Sequence, residues 1–326
     1  MLDHGGNLDM ARTRFGGTPE DWIDLSTGIN RCPYPVPPVT LSAWTDLPTR
    51  SARAALVDSA RSVYGTRAAI VPLAGAQAAI QMIPLLRPPA QARIITPTYN
   101  EHAACLTQGG WHVAEVSELS ALAGADLAIV VNPNNPDGRT ATREELLELA
   151  GTVRLLVVDE SFADARPDLS VARDADRDGL IVLRSFGKFY GLAGLRLGFA
   201  LGSSVEIARF DAMAGPWPVG GAAIEIGQRA LQDRTWQEAT AARLRQDVLR
   251  LDTIAAGAGW HLAGGTELFR LYRTPDALAA QDHLARARIW SRVFPWSRDL
   301  VRLGLPGRSA EWGRLRAALR KAPVRP

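Results

Sequence analysis

Lysine is almost missing from this chain. Its 326 residues include 37 Lys plus Arg, yet only Lys188 and Lys321 are lysines. Arginine carries the remaining positive charge, and arginine cannot shed its proton to act as an amine nucleophile. A lysine at 188, where arginine is otherwise the choice, therefore points to chemistry at the amine. Cysteine is as scarce. Cys32 and Cys105 are too few for a disulfide framework and are not spaced as metal ligands, so two reduced thiols, no metal and a cytoplasmic setting are expected. No apolar run approaches the roughly 20 residues of a membrane span. The opening M-L-D-H-G-G-N lacks the basic and apolar regions of a signal peptide. Neither membrane insertion nor export is expected. The net charge of +3 comes from scattered arginines, with no lysine-rich tract and no basic stripe, which argues against a nucleic-acid partner. With 47% hydrophobic and 22% charged residues, the chain has ample material for one large or two moderate globular domains.

Residues 1–40 are rich in Gly and Pro and weakly periodic. H-G-G-N (His4 to Asn7), D-L-S-T-G-I-N (Asp24 to Asn30) and the prolines 33, 35, 37 and 38 read as an ordered arm or loop over something larger. A helical pattern follows from Ser51 to Val63. Short, near-continuous apolar runs then alternate with helical patterns, at 69–73, 92–96, 111–116, 127–131, 155–158, 180–183 and 197–201. Such runs suit strands buried on both faces, so the expected fold class is α/β with a large, mostly parallel sheet. After Ser203, helices are expected over 204–213, 221–231 and 236–256. Short strands at 260–262, 268–272, 289–294 and 300–303, with helices near 275–287 and 308–320, would make a smaller α+β domain. The expected layout is an arm, 1–44, joining the small domain, a large domain, 45–235, and a small C-terminal domain, 236–326.

Ligands of an open parallel sheet gather at the carboxyl ends of its strands, and the suggestive polar residues fall there. Gly75-Ala76-Gln77 joins a strand to a helix and turns backbone N–H groups toward an anion. Tyr99, in P-T-Y-N-E-H, follows another strand. N-P-N-N-P-D-G (Asn132 to Gly138) follows a third, and V-V-D-E-S-F sets Asp159 at the end of a fourth. Lys188 sits in L-R-S-F-G-K-F-Y-G-L-A-G-L-R, between Ser185 and Arg196. Apolar surroundings disfavour the charged form of a lysine and ready it as a nucleophile. A hydroxyl and a guanidinium nearby suggest a phosphate. A pyridoxal phosphate enzyme needs this set: a lysine for the Schiff base, a carboxylate to keep the ring nitrogen protonated, and an aromatic to stack on the ring.

Taken in order, these motifs resemble those of the fold-type I pyridoxal phosphate enzymes of the class I/II aminotransferase superfamily, over nearly the whole chain. The resemblance implies that Lys188 carries pyridoxal 5'-phosphate, that Asp159 holds its ring nitrogen and Asn135 its ring hydroxyl, and that Tyr99 stacks on the ring. It implies a supporting group at His102 and a phosphate seat made by Gly75, Ala76, Gln77, Ser185 and Arg196. Two positions depart from the pattern. Phe162 stands where a tyrosine commonly bonds the ring hydroxyl, and Leu47-Pro48 stands where many members present a tyrosine to a neighbouring subunit.

Within the superfamily, H-G-G-N, D-L-S-T-G-I-N and V-R-L-G-L-P-G are similar to the threonine-phosphate decarboxylase branch of cobalamin biosynthesis, itself similar to histidinol-phosphate aminotransferases. The resemblance implies decarboxylation of L-threonine O-3-phosphate to (R)-1-amino-2-propanol phosphate. His4, Asn30 and Asn135 would contact the substrate, and Arg292 and Arg302 would take its phosphate and carboxylate. A homodimer is expected. The alternatives are a histidinol-phosphate-type aminotransferase and, from another class, a non-catalytic pyridoxal-binding regulator, whose usual marks, a fused DNA-binding segment or a lost lysine, are missing here.

Overall fold

The structure, a computed structural model, describes residues 4–320. Lys321 and the first three residues of M-L-D-H-G-G-N lie outside them. The chain divides into two compact units. One runs from Tyr34 to Asn135 and from Arg139 to Gln237; the other takes the chain up to Pro33, Pro136–Gly138 and everything from Glu238.

The first unit is built on a seven-stranded sheet. Its order is Ala69–Leu73, Gly198–Gly202, Leu180–Ser185, Leu156–Asp159, Leu127–Val131, Gln91–Ile95, His112–Val116. Only Gly198–Gly202 runs against its neighbours; every other pairing is parallel. This is the α/β architecture expected from the apolar runs. Leu127–Val131 and Leu156–Asp159 are buried at every residue, as strands covered on both faces must be. Local chemistry sets the helix ends. Arg50–Tyr64 starts where the Thr49 side chain accepts from Ala52 N and stops at Gly65 in the left-handed region. Arg143–Ala150 opens on a capping box between Thr142 and Glu145.

The second unit holds an antiparallel sheet in the order Arg292–Val293, Leu300–Gly304, Phe269–Arg273, His261–Thr266. Two local expectations are corrected here. The run 289–294 is not one strand. Ile289–Trp290 pairs in parallel with Ile23–Asp24, whereas Arg292–Val293 pairs with Leu300–Gly304. The break falls at buried Ser291, whose carbonyl is taken by Gln281 Nε2 at 2.8 Å and not by a ladder partner. Residues 1–40 are also more regular than their composition suggests, since Leu8–Phe15 is a helix capped by Asn7. Its one buried residue, Ala11, packs with Trp22, Ala285 and Trp290. A helix of 8 residues hidden between glycine pairs has too short a pattern to stand out in sequence. Among the described residues no helix is long and apolar enough to cross a membrane.

Candidate active site

One pocket of the seven-stranded unit gathers Gly75, Ala76, Gln77, Tyr99, Asn135, Asp159, Ser185, Lys188 and Arg196, with Ile80, Val131, Ser161, Phe162, Gly187 and Leu197 completing its wall. Its empty volume, counting the part open to solvent, is about 690 Å³. Residues from 75 to 197 meet there because the sheet aligns the ends of its strands.

Asp159 ends the strand Leu156–Asp159 and is buried. Its Oδ1 accepts from Ser161 N at 2.9 Å and Ser161 Oγ at 2.5 Å, and its Oδ2 faces His102 Nε2 at 2.9 Å. Burial alone would raise this carboxyl's pKa. The hydrogen bond and field of His102 and both bonds from Ser161 outweigh burial and hold it below the usual carboxylate range. Asp159 is thus an ionised, acceptor-only group at the pocket wall, suited to a protonated ring nitrogen. His102 fills its expected supporting place. Ser161 went unnoticed in the sequence, although an acidic residue followed two positions later by serine is a common local turn signal.

Three asparagines share the work of the N-P-N-N-P-D-G corner. Asn132 braces Ala141, accepting from its N at 2.9 Å and donating to its O at 3.0 Å. Asn134 donates to Pro97 O at 2.9 Å and accepts from Thr98 Oγ1 at 2.6 Å, tying two strand-end loops together. Asn135 is the one that lines the pocket.

Lys188 lies in a loop anchored by aromatic packing. Phe186 and Tyr190 stack at 4.1 Å, Tyr190 stacks on Trp236 at 5.6 Å, and Tyr34 N donates to Tyr190 O at 2.8 Å. The aromatics that make this stretch apolar therefore hold the loop, while the lysine amine stands 5.6 Å from the centre of the Phe162 ring. Arg196 has a left-handed backbone (φ 53°), and its guanidinium covers Gly75. A Cβ on Gly75 would sit 2.9 Å from Arg196 Nη2, and φ at Gly75 is +79°, so only glycine suits this corner.

Tyr99 donates to Gln77 Oε1 at 3.0 Å and meets His102 edge-on at 6.1 Å. Burial, then the nearby charges of Glu101 and Asp159, push its phenol up to about 12, so it stays protonated at neutral pH. Glu101 was not singled out in the sequence, and it accepts from Gln77 Nε2 at 3.0 Å.

A buried ionic group lies on the opposite side of these strands. Arg184 bonds Glu160 at 2.7 Å and Asp164 at 2.6 Å and lies 4.4 Å from the centre of the Tyr64 ring. Glu160 also accepts from Ser170 Oγ and Val171 N. Because side chains alternate along a strand, Asp159 and Ser185 reach the pocket while their neighbours Glu160 and Arg184 turn away from it.

His4, Asn30, Arg292 and Arg302 belong to the other unit. His4 is exposed. Asn30 is buried, its Oδ1 accepting from Cys32 N at 3.0 Å and Arg243 Nη2 at 2.9 Å. Arg292 and Arg302 are register partners on adjacent strands. Arg302 is buried, donates to Ser26 O at 2.7 Å and lies 5.0 Å from the Phe269 ring centre. Burial and the neighbouring Arg292 push its pKa down to about 9, against the pull of Asp24.

A strand-end carboxylate, an amine on an anchored loop and a glycine corner covered by arginine are the makings of a pyridoxal phosphate site. Residues 44–322 match aminotransferase class I and II, and the chain belongs to that family. Within it, the chain is 42% identical to a threonine-phosphate decarboxylase of Pseudomonas aeruginosa, with 98% of this chain and 97% of the relative covered. It is 44% identical to one of a Sinorhizobium species, with 97% of each covered. Among solved structures, histidinol-phosphate aminotransferase from Sinorhizobium meliloti, in complex with pyridoxal-5'-phosphate, superposes with a TM-score of 0.81, covering 98% of this chain and 95% of that one. At 22% identity that likeness speaks for the fold alone.

Proposed function

We propose that this chain decarboxylates L-threonine O-3-phosphate to (R)-1-amino-2-propanol phosphate and carbon dioxide, with pyridoxal 5'-phosphate as cofactor, in cobalamin biosynthesis. The observation that carries the reaction is the near-full-length likeness to two threonine-phosphate decarboxylases.

The pocket residues fit the cofactor. Among the described residues Lys188 is the sole lysine, and it lines the pocket with Asp159, whose depressed pKa keeps it an acceptor. Lys188 would hold the cofactor covalently, Asp159 its ring nitrogen, Asn135 its ring hydroxyl and Tyr99 its ring face. Gly75, Ala76, Gln77, Ser185 and Arg196 would seat the phosphate through backbone N–H groups, a hydroxyl and a guanidinium. Phe162 offers apolar contact where a tyrosine would hydrogen-bond. When bound, the cofactor supplies an electron sink for the pair left as the Cα–carboxylate bond breaks. The chain's own part is orientation and proton transfer. His4, Asn30, Asn135, Arg292 and Arg302 would bind the substrate, the two arginines taking its phosphate and carboxylate; the lowered pKa of Arg302 supports an anion there. Such remote anion contacts would orient the Cα–carboxylate bond for cleavage. Lys188, released as a free amine, would return a proton to Cα. Purified protein with the cofactor and L-threonine O-3-phosphate is expected to yield the amino-propanol phosphate by NMR. No amine product would remove the reading.

We also propose a homodimer in the cytoplasm. Leu41, Trp44 and Leu47 are 76%, 70% and 65% exposed around the short helix Ser42–Thr45, an apolar surface that suits a second copy. Cys32 and Cys105, both free, suit a reducing compartment. Light scattering after size exclusion should give twice the 35.2 kDa chain mass, and Trp44→Glu should shift it toward the monomer. A monomeric wild type would refute the dimer.

A further inference from the structure

We propose that Glu101 is a positioning residue, which acts through Gln77 to hold Tyr99 in the orientation that covers the cofactor. The inference rests on the cofactor reading above. Tyr99 Oη and Gln77 Oε1 are 3.0 Å apart, and Gln77 Nε2 and Glu101 Oε2 are also 3.0 Å apart. Glu101 does not line the pocket, whereas Gln77 and Tyr99 do.

The direction of this two-bond relay follows from the chemistry of its end member. The carboxylate oxygen Oε2 of Glu101 accepts from Gln77 Nε2, so the Gln77 amide turns its NH2 toward Glu101. Its carbonyl end then faces Tyr99, and the phenol must donate. The Tyr99 proton is thereby committed to Gln77, and the hydroxyl presents only lone pairs elsewhere. The relay also joins two separate pieces of chain. Gln77 is the second residue of the helix Ala76–Met82, whereas Tyr99 and Glu101 flank Asn100, the cap of Glu101–Gln108. The ring is held by its hydroxyl on one side and by edge contact with His102 on the other. With glutamine at 101 the neighbouring amide can adopt either orientation, the phenol loses its fixed acceptor, and the ring gains freedom.

The test is pyridoxal phosphate binding to apo-protein, followed by the visible absorbance band, for wild type, Glu101→Gln, Tyr99→Phe and the double variant. Wild-type binding is the control for the cofactor reading: absence of a band there defeats that reading and this inference with it. Given binding, Glu101→Gln is expected to weaken affinity about five-fold and to shift the band, the scale of one hydrogen bond. Its thermal midpoint should match wild type. Tyr99→Phe should weaken binding similarly, and the double variant should be no weaker than Tyr99→Phe alone, since both changes break one relay. Wild-type affinity and band in Glu101→Gln would overturn the proposal. So would a double variant losing the product of the two single effects, about 25-fold, because Glu101 would then act outside the relay.

Discussion

Replacing Lys188 by alanine is expected to abolish the visible absorbance of bound pyridoxal phosphate and to lower turnover by about 10⁴-fold or more. On the proposed assignment one side chain does two jobs, holding the cofactor covalently and returning the proton to Cα, and general acid catalysis alone supplies about 10²–10⁴-fold. No other lysine among the described residues could take its place. The fold should survive, because the loop is anchored by Phe186, Phe189 and Tyr190, which are buried and do not depend on the amine. Circular dichroism and the thermal midpoint should match wild type while the band is lost. A variant that keeps the band would show that the cofactor is attached elsewhere.

The largest effect on stability is expected from Arg184→Met. Methionine keeps most of the volume, but Glu160 and Asp164 then remain buried with no cation, and breaking a buried pair from one side costs about 3–5 kcal/mol. Burial already raises both carboxyls above their ordinary values, against the field and hydrogen bonds of Arg184. Removing Arg184 raises them further. A group whose folded pKa is raised favours folding below its unfolded pKa and loses that contribution as pH rises through the folded value. The deficit of the variant should therefore grow as pH rises above the ordinary carboxylate range and be large at pH 7. It should narrow as pH falls toward the ordinary carboxylate range, where both groups fold already protonated. Urea unfolding of both proteins across that range measures it. A deficit under about 1 kcal/mol at pH 7, or one that widens in acid, would show that the ionic group does not hold these strands.

The pocket-lining candidates were legible in sequence for a physical reason. A parallel sheet buries near-continuous apolar runs, so a polar residue at the end of such a run stands out, and Asp159, Ser185, Tyr99 and the N-P-N-N-P-D-G corner all do. Lys188 stood out because arginine replaces lysine nearly everywhere else. What stayed hidden depends on pairing between segments with no local mark. Arg184 and Glu160 are 24 residues apart, and Gln77 and Glu101 are also 24 apart. Nothing in either segment announces its partner. The break at Ser291 was hidden too, because apolar residues stand on both sides of it while the ladder changes partner. The helix Leu8–Phe15 shows that glycine-rich flanks can mask a short amphipathic turn whose order comes from tertiary packing.

The reaction itself is tested most directly by measuring carbon dioxide released from L-threonine O-3-phosphate by the cofactor-loaded protein, with and without 2-oxoglutarate. Sustained release that ignores the acceptor is the predicted result. Turnover that requires 2-oxoglutarate and leaves the substrate carboxylate in place would contradict the decarboxylase and point to an aminotransferase.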